Sequence, residues 1–306
     1  MRRLIAVLTV LALSGASAMA QDKGTLDPVP LPPLAHPEDP KTPAKELFAR
    51  KRVPVPLEAR SIGFYSHGCL AGGVALPING KTWQVMRLSR NRNWGHPELV
   101  RFLERLADKM PKISNWPGLL LGDMAQARGG PMLSGHTSHQ VGLDADIWLT
   151  PMPRHELTRE EREEMSATQV VAADRKDVNP AVWTPSHTAV IRAAAEDERV
   201  ERIFVNAAIK KALCRDAGGE RSWLHKVRPW WGHDYHFHVR IRCPDDSSEC
   251  SGQPPAPASE GCGKELDWWF RDAVIHPQPP KAPPKPKPPL TLADLPAACR
   301  QVVLAP

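Results

Sequence analysis

The sequence predicts an α+β fold, because stretches with helical spacing and stretches with strand-like alternation both occur but never in the regular βαβ order of a parallel sheet. Two further observations complete that frame. Six cysteines behind an export leader predict disulfide staples, and two histidine-rich motifs about ninety residues apart predict a metal site carried on strands.

The elements follow in chain order. Met1-Arg2-Arg3 is basic, Leu4 to Leu13 is apolar except for Thr9, and Ala18-Met19-Ala20 is a small-residue cleavage pattern, so residues 1–20 read as a secretory signal peptide. The apolar run falls far short of the ~20 residues that span a bilayer. Export without stable membrane insertion is expected. Residues 21–53 form a Pro-rich leader, and from Pro28 to Pro43 the residues Pro28, Pro30, Pro32, Pro33, Pro37, Pro40 and Pro43 forbid a helix. The folded core is expected over residues 54–275. There His96 to Met110 has Leu99, Val100, Phe102, Leu103 and Leu106 at helical spacing, and Thr158 opens a charged helix through Glu164. Ser186 to Val200 and Glu201 to Leu213 read as two further helices. Leu119 to Asp123, Leu143 to Leu149 and Tyr235 to Arg242 read as strands. Residues 276–306 are a Pro/Lys-rich tail whose Pro277–Pro289 tract suits polyproline II. No internal repeat is found.

Roughly 286 residues remain after signal removal, enough for one large domain or two small ones. The formal net charge is +6 and the pI about 9.1. Without a concentrated Lys/Arg block in an exported chain, nucleic acid is not a partner; the charge is either an ordinary solvated surface or a bias toward an anionic polymer such as a bacterial wall. Six cysteines allow 15 pairings, and sequence alone does not choose among them. Position narrows the choice: Cys243 and Cys250 bracket a polar turn, Cys69 and Cys299 lie near the two ends, and Cys214 and Cys262 are left over. Thiolate ligation of a metal needs close pairs such as C-x-x-C, and the chain has none.

The first motif is His139-Gln-Val-Gly-Leu-Asp-Ala-Asp146 and the second His233-Asp-Tyr-His236-Phe-His238. On a strand, alternate side chains share a face, so His236, His238 and Arg240 point one way while Phe237, Val239 and Ile241 point to the core. Asp144, Asp146 and Trp148 likewise share a face. If the two strands lie side by side, Asp146 and His238 converge, and Gly142 lets the chain turn so that His139 reaches the same point. Two imidazoles and a carboxylate are the ligand set of an open catalytic zinc site, whereas a structural zinc closes all four positions, usually with thiolates. A lone histidine is more often hydrogen-bonded structure than a ligand. Four histidines and an aspartate at these spacings favour the metal. The chain has no S-x-x-K motif for a serine acyl-enzyme and no H-E-x-x-H, since His155-Glu156 lacks the second histidine.

At Ser61-Ile-Gly, Gly68-Cys-Leu-Ala-Gly-Gly, Trp83-Gln-Val-Met-Arg-Leu, Gly122-Asp-Met, Gly135-His-Thr-Ser-His-Gln-Val-Gly-Leu-Asp-Ala-Asp, Lys226-Val-Arg-Pro-Trp and His236-Phe-His-Val-Arg-Ile-Arg-Cys-Pro the sequence resembles the penicillin-insensitive murein endopeptidases, members of the LAS metallopeptidases. The resemblance runs from about Ser61 to Cys262. It implies a LAS core with an antiparallel sheet carrying the zinc site, flanked by helices and stapled by the pairs Cys69–Cys299, Cys214–Cys262 and Cys243–Cys250. It also implies His139, Asp146 and His238 as Zn2+ ligands, His236 as general base and His233 as a second catalytic imidazole. His136 and Asp174 are implied as ligands of a second metal, but where the family pattern carries Asp-x-x-His this chain has Asp174-Arg-Lys-Asp177. Arg240 is the candidate for holding a substrate carboxylate.

The implied activity is zinc-dependent hydrolysis of the D-alanyl–meso-diaminopimelate cross-link of peptidoglycan in the periplasm, indifferent to penicillin because no serine nucleophile is used. Peptidoglycan is the expected partner, and a homodimer is compatible with the reading. A D-Ala-D-Ala carboxypeptidase would share the metal site, a two-metal phosphoesterase would need Asp174 and Asp177, and a non-catalytic wall-binding module would have no use for His236.

Overall fold

A computed structural model describes residues 23–278 and 287–306. The signal peptide and most of the Lys/Pro tract lie outside the described residues. The chain runs through α1 (Ala44–Phe48), β1 (Arg60–Phe64), β2 (His67–Ala71), β3 (Val74–Ala75), β4 (Trp83–Val85), β5 (Trp94–Gly95), α2 (Pro97–Ile113), β6 (Leu119–Leu121) and β7 (Asp144–Pro151). It continues through α3 (Arg159–Glu164), α4 (Pro185–Ala195), β8 (Val200–Val205), α5 (Ala207–Asp216), β9 (Val227–Pro229), β10 (His236–Ile241), α6 (Lys264–Asp267), α7 (Asp272–Ile275) and α8 (Ala297–Leu304).

The fold is α+β. Its main sheet has the order β4-β6-β7-β10-β8-β9. The middle of the sheet is antiparallel, as expected, but both edges are parallel: β4 runs with β6 and β9 with β8, so the sheet as a whole is mixed.

The helix α2 forms where its spacing predicts. His96 caps its start by accepting from the Glu98 amide, Pro97 supplies a pre-set φ in the first turn, and Leu99, Phe102, Leu103 and Leu106 are buried. These side chains share one core with Val190 and Ile191 of α4, Ala145, Ile147 and Leu149 of β7, and Phe237, Val239 and Ile241 of β10. The helices therefore cover one face of the central strands. The opposite face is left to Asp144, Asp146, Trp148, His236, His238 and Arg240, so each strand buries its apolar set against helices and turns its polar set toward the site.

Two expected helices are corrected in their bounds. Residues 201–205, read as the start of a helix over Glu201 to Leu213, belong to β8, and the helix expected to reach Val200 stops at Ala195. Val200, Ile203 and Val205 are β-branched and buried in the core, while the β8 backbone bonds to β10 on one side and β9 on the other. Sheet pairing outweighs the weak helical periodicity of the Glu/Arg positions. Asn206 then accepts from the Ala208 amide and starts α5.

A second apolar cluster joins the two ends of the chain. Leu47 and Phe48 of α1, Ile62 and Cys69 of the β1–β2 hairpin, and Val302 and Val303 of α8 pack together, with Cys69 bonded to Cys299 at their centre. The buried Arg128 guanidinium donates to the carbonyls of Val53, Val302, Ala305 and Pro306, capping the last turn of α8. Cys214–Cys262 and Cys243–Cys250 complete the disulfides, and no cysteine is free. Among the described residues no helix is long and apolar enough to cross a membrane.

Candidate metal centre

Antiparallel pairing of β7 with β10 sets Asp146 opposite His238, Asp144 opposite Arg240 and Trp148 opposite His236. Side chains opposite one another on the same face lie within reach, so this register alone brings Asp146 and His238 together. His139 arrives from the preceding loop. Its φ is 68° and that of Gly142 is 73°; a Cβ on Gly142 would stand 2.9 Å from the His96 amide nitrogen and 2.8 Å from the Leu70 side chain. The close approach requires glycine there, while the left-handed backbone at His139 is strain of the kind that folds concentrate at functional positions.

Asp146 is the hub. Its Oδ1 lies 3.2 Å from His238 Nδ1, 3.5 Å from His139 Nε2 and 3.6 Å from His236 Nε2, and its Oδ2 lies 3.4 Å from His136 Nε2. Both ring nitrogens of the fully buried His139, the Asp146 Oδ1 and the His236 Nδ1 have no hydrogen-bond partner. Buried polar atoms are rarely left so, and a cluster of orphaned imidazole and carboxylate atoms fits a metal ion as the missing partner.

Asp144 orients this cluster from behind. It accepts from His238 Nε2 at 2.9 Å, from Arg240 Nε at 2.7 Å and from the His139 amide at 3.1 Å. With its Nε2 proton given to Asp144, His238 turns Nδ1 toward Asp146, so that loss of the Nδ1 proton exposes a lone pair there. A carboxylate that fixes the tautomer of a ligating imidazole is the usual outer support of a metal site. Arg240 is buried, with Nη1 donating to Gln253 at 2.9 Å and its guanidinium 3.9 Å above the Tyr65 ring.

His136 joins the same cluster rather than a separate one. Its ring is 4.4 Å from that of His139, and the ligand atoms of His136, His139 and Asp146 all lie within 4.8 Å of one another. Its Nε2 bonds Asp123 Oδ2 at 3.1 Å, and that carboxylate oxygen also accepts from Arg90 and Arg92 at 2.9 Å each. The structure does not bring Asp174 to this group: its carboxylate accepts from the Lys176 amide of its own loop, and Asp177 pairs with Lys211 and Arg215. His236 is buried beside the hub, and His233, with φ 52°, places its ring 4.9 Å from that of His236. His233 Nδ1 lies 2.7 Å from the Trp231 carbonyl.

The field in the cluster separates its imidazoles. Burial, against the opposing pull of Asp146, lowers His139 to about 4. Burial with His236 and His238 beside it lowers His233 to about 3. Burial also works against protonation of His238, yet Asp144 and Asp146 outweigh it and push that ring up to about 9. Burial alone would raise Asp144, but Arg240 and His238 hold it well below the usual carboxylate range. A cation entering the cluster competes with the His238 proton and finds His139 already neutral.

Sequence reasoning missed Asp123 and Asp144 as parts of the site. Asp144 shares the face of Asp146, and that spacing was the available signal. Asp123 reaches the hub because its carbonyl accepts from the Asp146 amide where β6 ends, a long-range pairing with no local signature.

Four similarities accompany this geometry. A family model described as penicillin-insensitive murein endopeptidase matches residues 61–304. A penicillin-insensitive murein endopeptidase of Yersinia enterocolitica is 47% identical over 236 residues, covering 77% of this chain and 85% of the relative. Proteins of the same description from Haemophilus influenzae and Escherichia coli are each 44% identical, over 264 and 250 residues, covering 85% and 82% of this chain and 88% of each relative. The chain therefore belongs to the penicillin-insensitive murein endopeptidase family of peptidases.

Proposed function

We propose that the protein is a zinc-dependent murein DD-endopeptidase that hydrolyses the D-alanyl–meso-diaminopimelate cross-link of peptidoglycan after export to the periplasm. The observation that carries this reading is the Asp146 hub: one buried carboxylate ringed by imidazoles, with its own Oδ1 and both nitrogens of His139 left without a hydrogen-bond partner, in a chain of this family. His139 Nε2, Asp146 Oδ1 and His238 Nδ1 are the ligands. Between His238 and His136 as the second imidazole, His238 is preferred because Asp144 holds its far nitrogen, so that a cation displacing the near proton meets a free lone pair, whereas the His136 Nε2 is engaged by Asp123. One metal per chain follows, with His136 and Asp123 beside it and Asp174 outside.

A zinc ion held by three protein ligands would supply a water acidified toward neutral pH and a Lewis acid at the scissile carbonyl. His236, whose Nε2 faces the hub, accepts the proton of the attacking water and delivers it to the leaving amine. His233, kept neutral by burial with His236 and His238 beside it, donates Nδ1–H to the Trp231 carbonyl and presents a bare Nε2 that shuttles a proton beside the reacting centre. Arg240 contributes by locking Asp144. No side chain attacks the substrate, so a serine-directed acylating drug has no target.

The test is metal content measured together with activity on isolated sacculi, before and after chelation. Loss of activity with the metal, recovery on adding zinc, and conversion of cross-linked dimers to monomers without free D-alanine are expected. Release of D-alanine would make it a carboxypeptidase, and undiminished activity without metal would overturn the mechanism.

A further inference from the structure

Beside the hub the surface carries an aromatic patch that the proposed chemistry does not use. Trp230 and Trp231 are each 53% exposed and Trp268 is 42% exposed, while Trp223 nearby is buried. Trp231 lies 6.2 Å from Trp268 and 4.9 Å from Trp269, and Trp268 lies 5.1 Å from Trp269, centroid to centroid. These rings meet at steep angles rather than stacking face on face, which leaves indole faces open to a ligand.

The patch is built rather than accidental. Trp230 and Trp231 follow β9, with the Trp230 amide bonded to the Val205 carbonyl. Trp268 and Trp269 follow α6, whose approach is fixed by Cys214–Cys262 and by Arg228 on Glu265 at 2.8 Å. It is also continuous with the candidate site: the Trp231 carbonyl meets His233 Nδ1, and Phe204 stands 5.8 Å from Trp230 and 5.5 Å from His238. Ordering several indoles in water costs stability unless something covers them, and a patch of this kind marks an interaction surface.

We propose that this patch is a carbohydrate-stacking platform that holds the glycan strand of the substrate polymer while the peptide bridge lies over the hub. This rests on the murein reading above. Pyranose rings present a face of weakly positive C–H groups, which suits the electron-rich face of indole. The composition favours a sugar over a protein partner, since none of the exposed large aliphatic side chains among the described residues lies in these two segments. The position favours it as well, because a cross-linked polymer carries its glycan next to the bridge that is cut.

The test compares Trp268→Ala, Trp268→Phe and the Trp231→Ala/Trp268→Ala double variant, in the full zinc-loaded protein, on three probes. Melting and circular dichroism establish that the variants fold. Glycan strands stripped of peptide should quench parental tryptophan fluorescence, and Trp268→Ala should weaken that binding roughly 10-fold, with Trp268→Phe close to the parent. On sacculi kcat/KM should fall by a similar factor through KM, while on a glycan-free cross-linked peptide dimer it stays within about twofold. An equal fall on both substrates would place the peptide on the platform, and no change on either would leave it outside recognition. A shift from dimer to monomer in light scattering, with strand binding intact, would make it a contact between copies. Each of those three results overturns the proposal. If the parent cleaved neither substrate the murein reading would fail, and strand binding by fluorescence would still report on the platform.

Discussion

Replacing Asp144 with alanine separates what the buried carboxylate does for the fold from what it does for the metal. The side chain is fully buried and neutralises Arg240, which is also buried. Removing one member of a buried pair leaves an uncompensated charge and costs about 3–5 kcal/mol. For a domain of this size that lowers the melting midpoint by roughly 6–20 °C. The same substitution frees His238 Nε2 and the His139 amide, so both imidazoles lose their orientation, and loss of such a support weakens metal affinity about 10–100-fold. Zinc affinity is read by competition with a chelating dye and stability by urea unfolding of the metal-free protein. The Asp144→Ala/Arg240→Met double variant is the control, since it removes both charges and restores most of the stability. Zinc affinity should remain low in it. Recovery of metal affinity along with stability would show that Asp144 acts only through the fold and would refute the tautomer argument.

Four other outcomes follow from the same geometry. His238→Ala should lose most of its zinc by elemental analysis while His136→Ala keeps it; the reverse result would move the second ligand to His136. His236→Ala should keep metal and fold but lose about 10²–10⁴-fold in turnover, and activity within a few-fold of the parent would shift the base to His233. Burial, with Arg228 nearby, lowers the Lys210 ammonium to about 7, so between that pH and the ordinary lysine value the unfolded chain binds the extra proton and folding is favoured as pH rises. The parent should therefore gain about 2 kcal/mol relative to Lys210→Met from pH 7 to 9 in urea unfolding, and parallel profiles would place the charged ammonium comfortably between the Leu224 and Glu260 carbonyls. Cys299→Ser should leave zinc content unchanged but open α8 to early hydrogen exchange, and full protection there would show that Arg128 and the apolar cluster hold the tail without the bridge.

How legible the fold is in the sequence depends on whether the signal is local. The helix α2 is legible because seven of its side chains are buried at helical spacing behind a capping His96 and a first-turn Pro97. The strands β7 and β10 are legible because each alternates between one apolar and one polar face. The strand β8 is not. Its six residues mix Val and Ile with Glu and Arg, and only the neighbours on both sides decide between strand and helix. The parallel edges of the sheet are hidden for the same reason, since β4 and β6 are three residues each and 33 positions separate Val85 from Leu119.

The site follows the same division, and the division has a physical cause. Asp146 and His238 are visible as candidate ligands because a strand presents alternate side chains on one face, and a period of two turns sequence directly into convergence once the strands pair, while His139 is visible from its residue type and the turn at Gly142. Asp123 and Arg90 leave no such trace. They come from separate segments, and Asp123, bonded by Arg90, meets His136 only because the β6 end bonds to the middle of β7. Arg240 shows the limit most clearly. Its alternation with His238 correctly places it on the polar face, and a guanidinium beside a catalytic centre suggests a substrate carboxylate. The same alternation also places Asp144 directly across the ladder from it. In a buried pair the nearest opposite charge takes the guanidinium first, because leaving both charges unpaired would cost several kcal/mol. The direction in which a side chain points was readable, but its partner required the register.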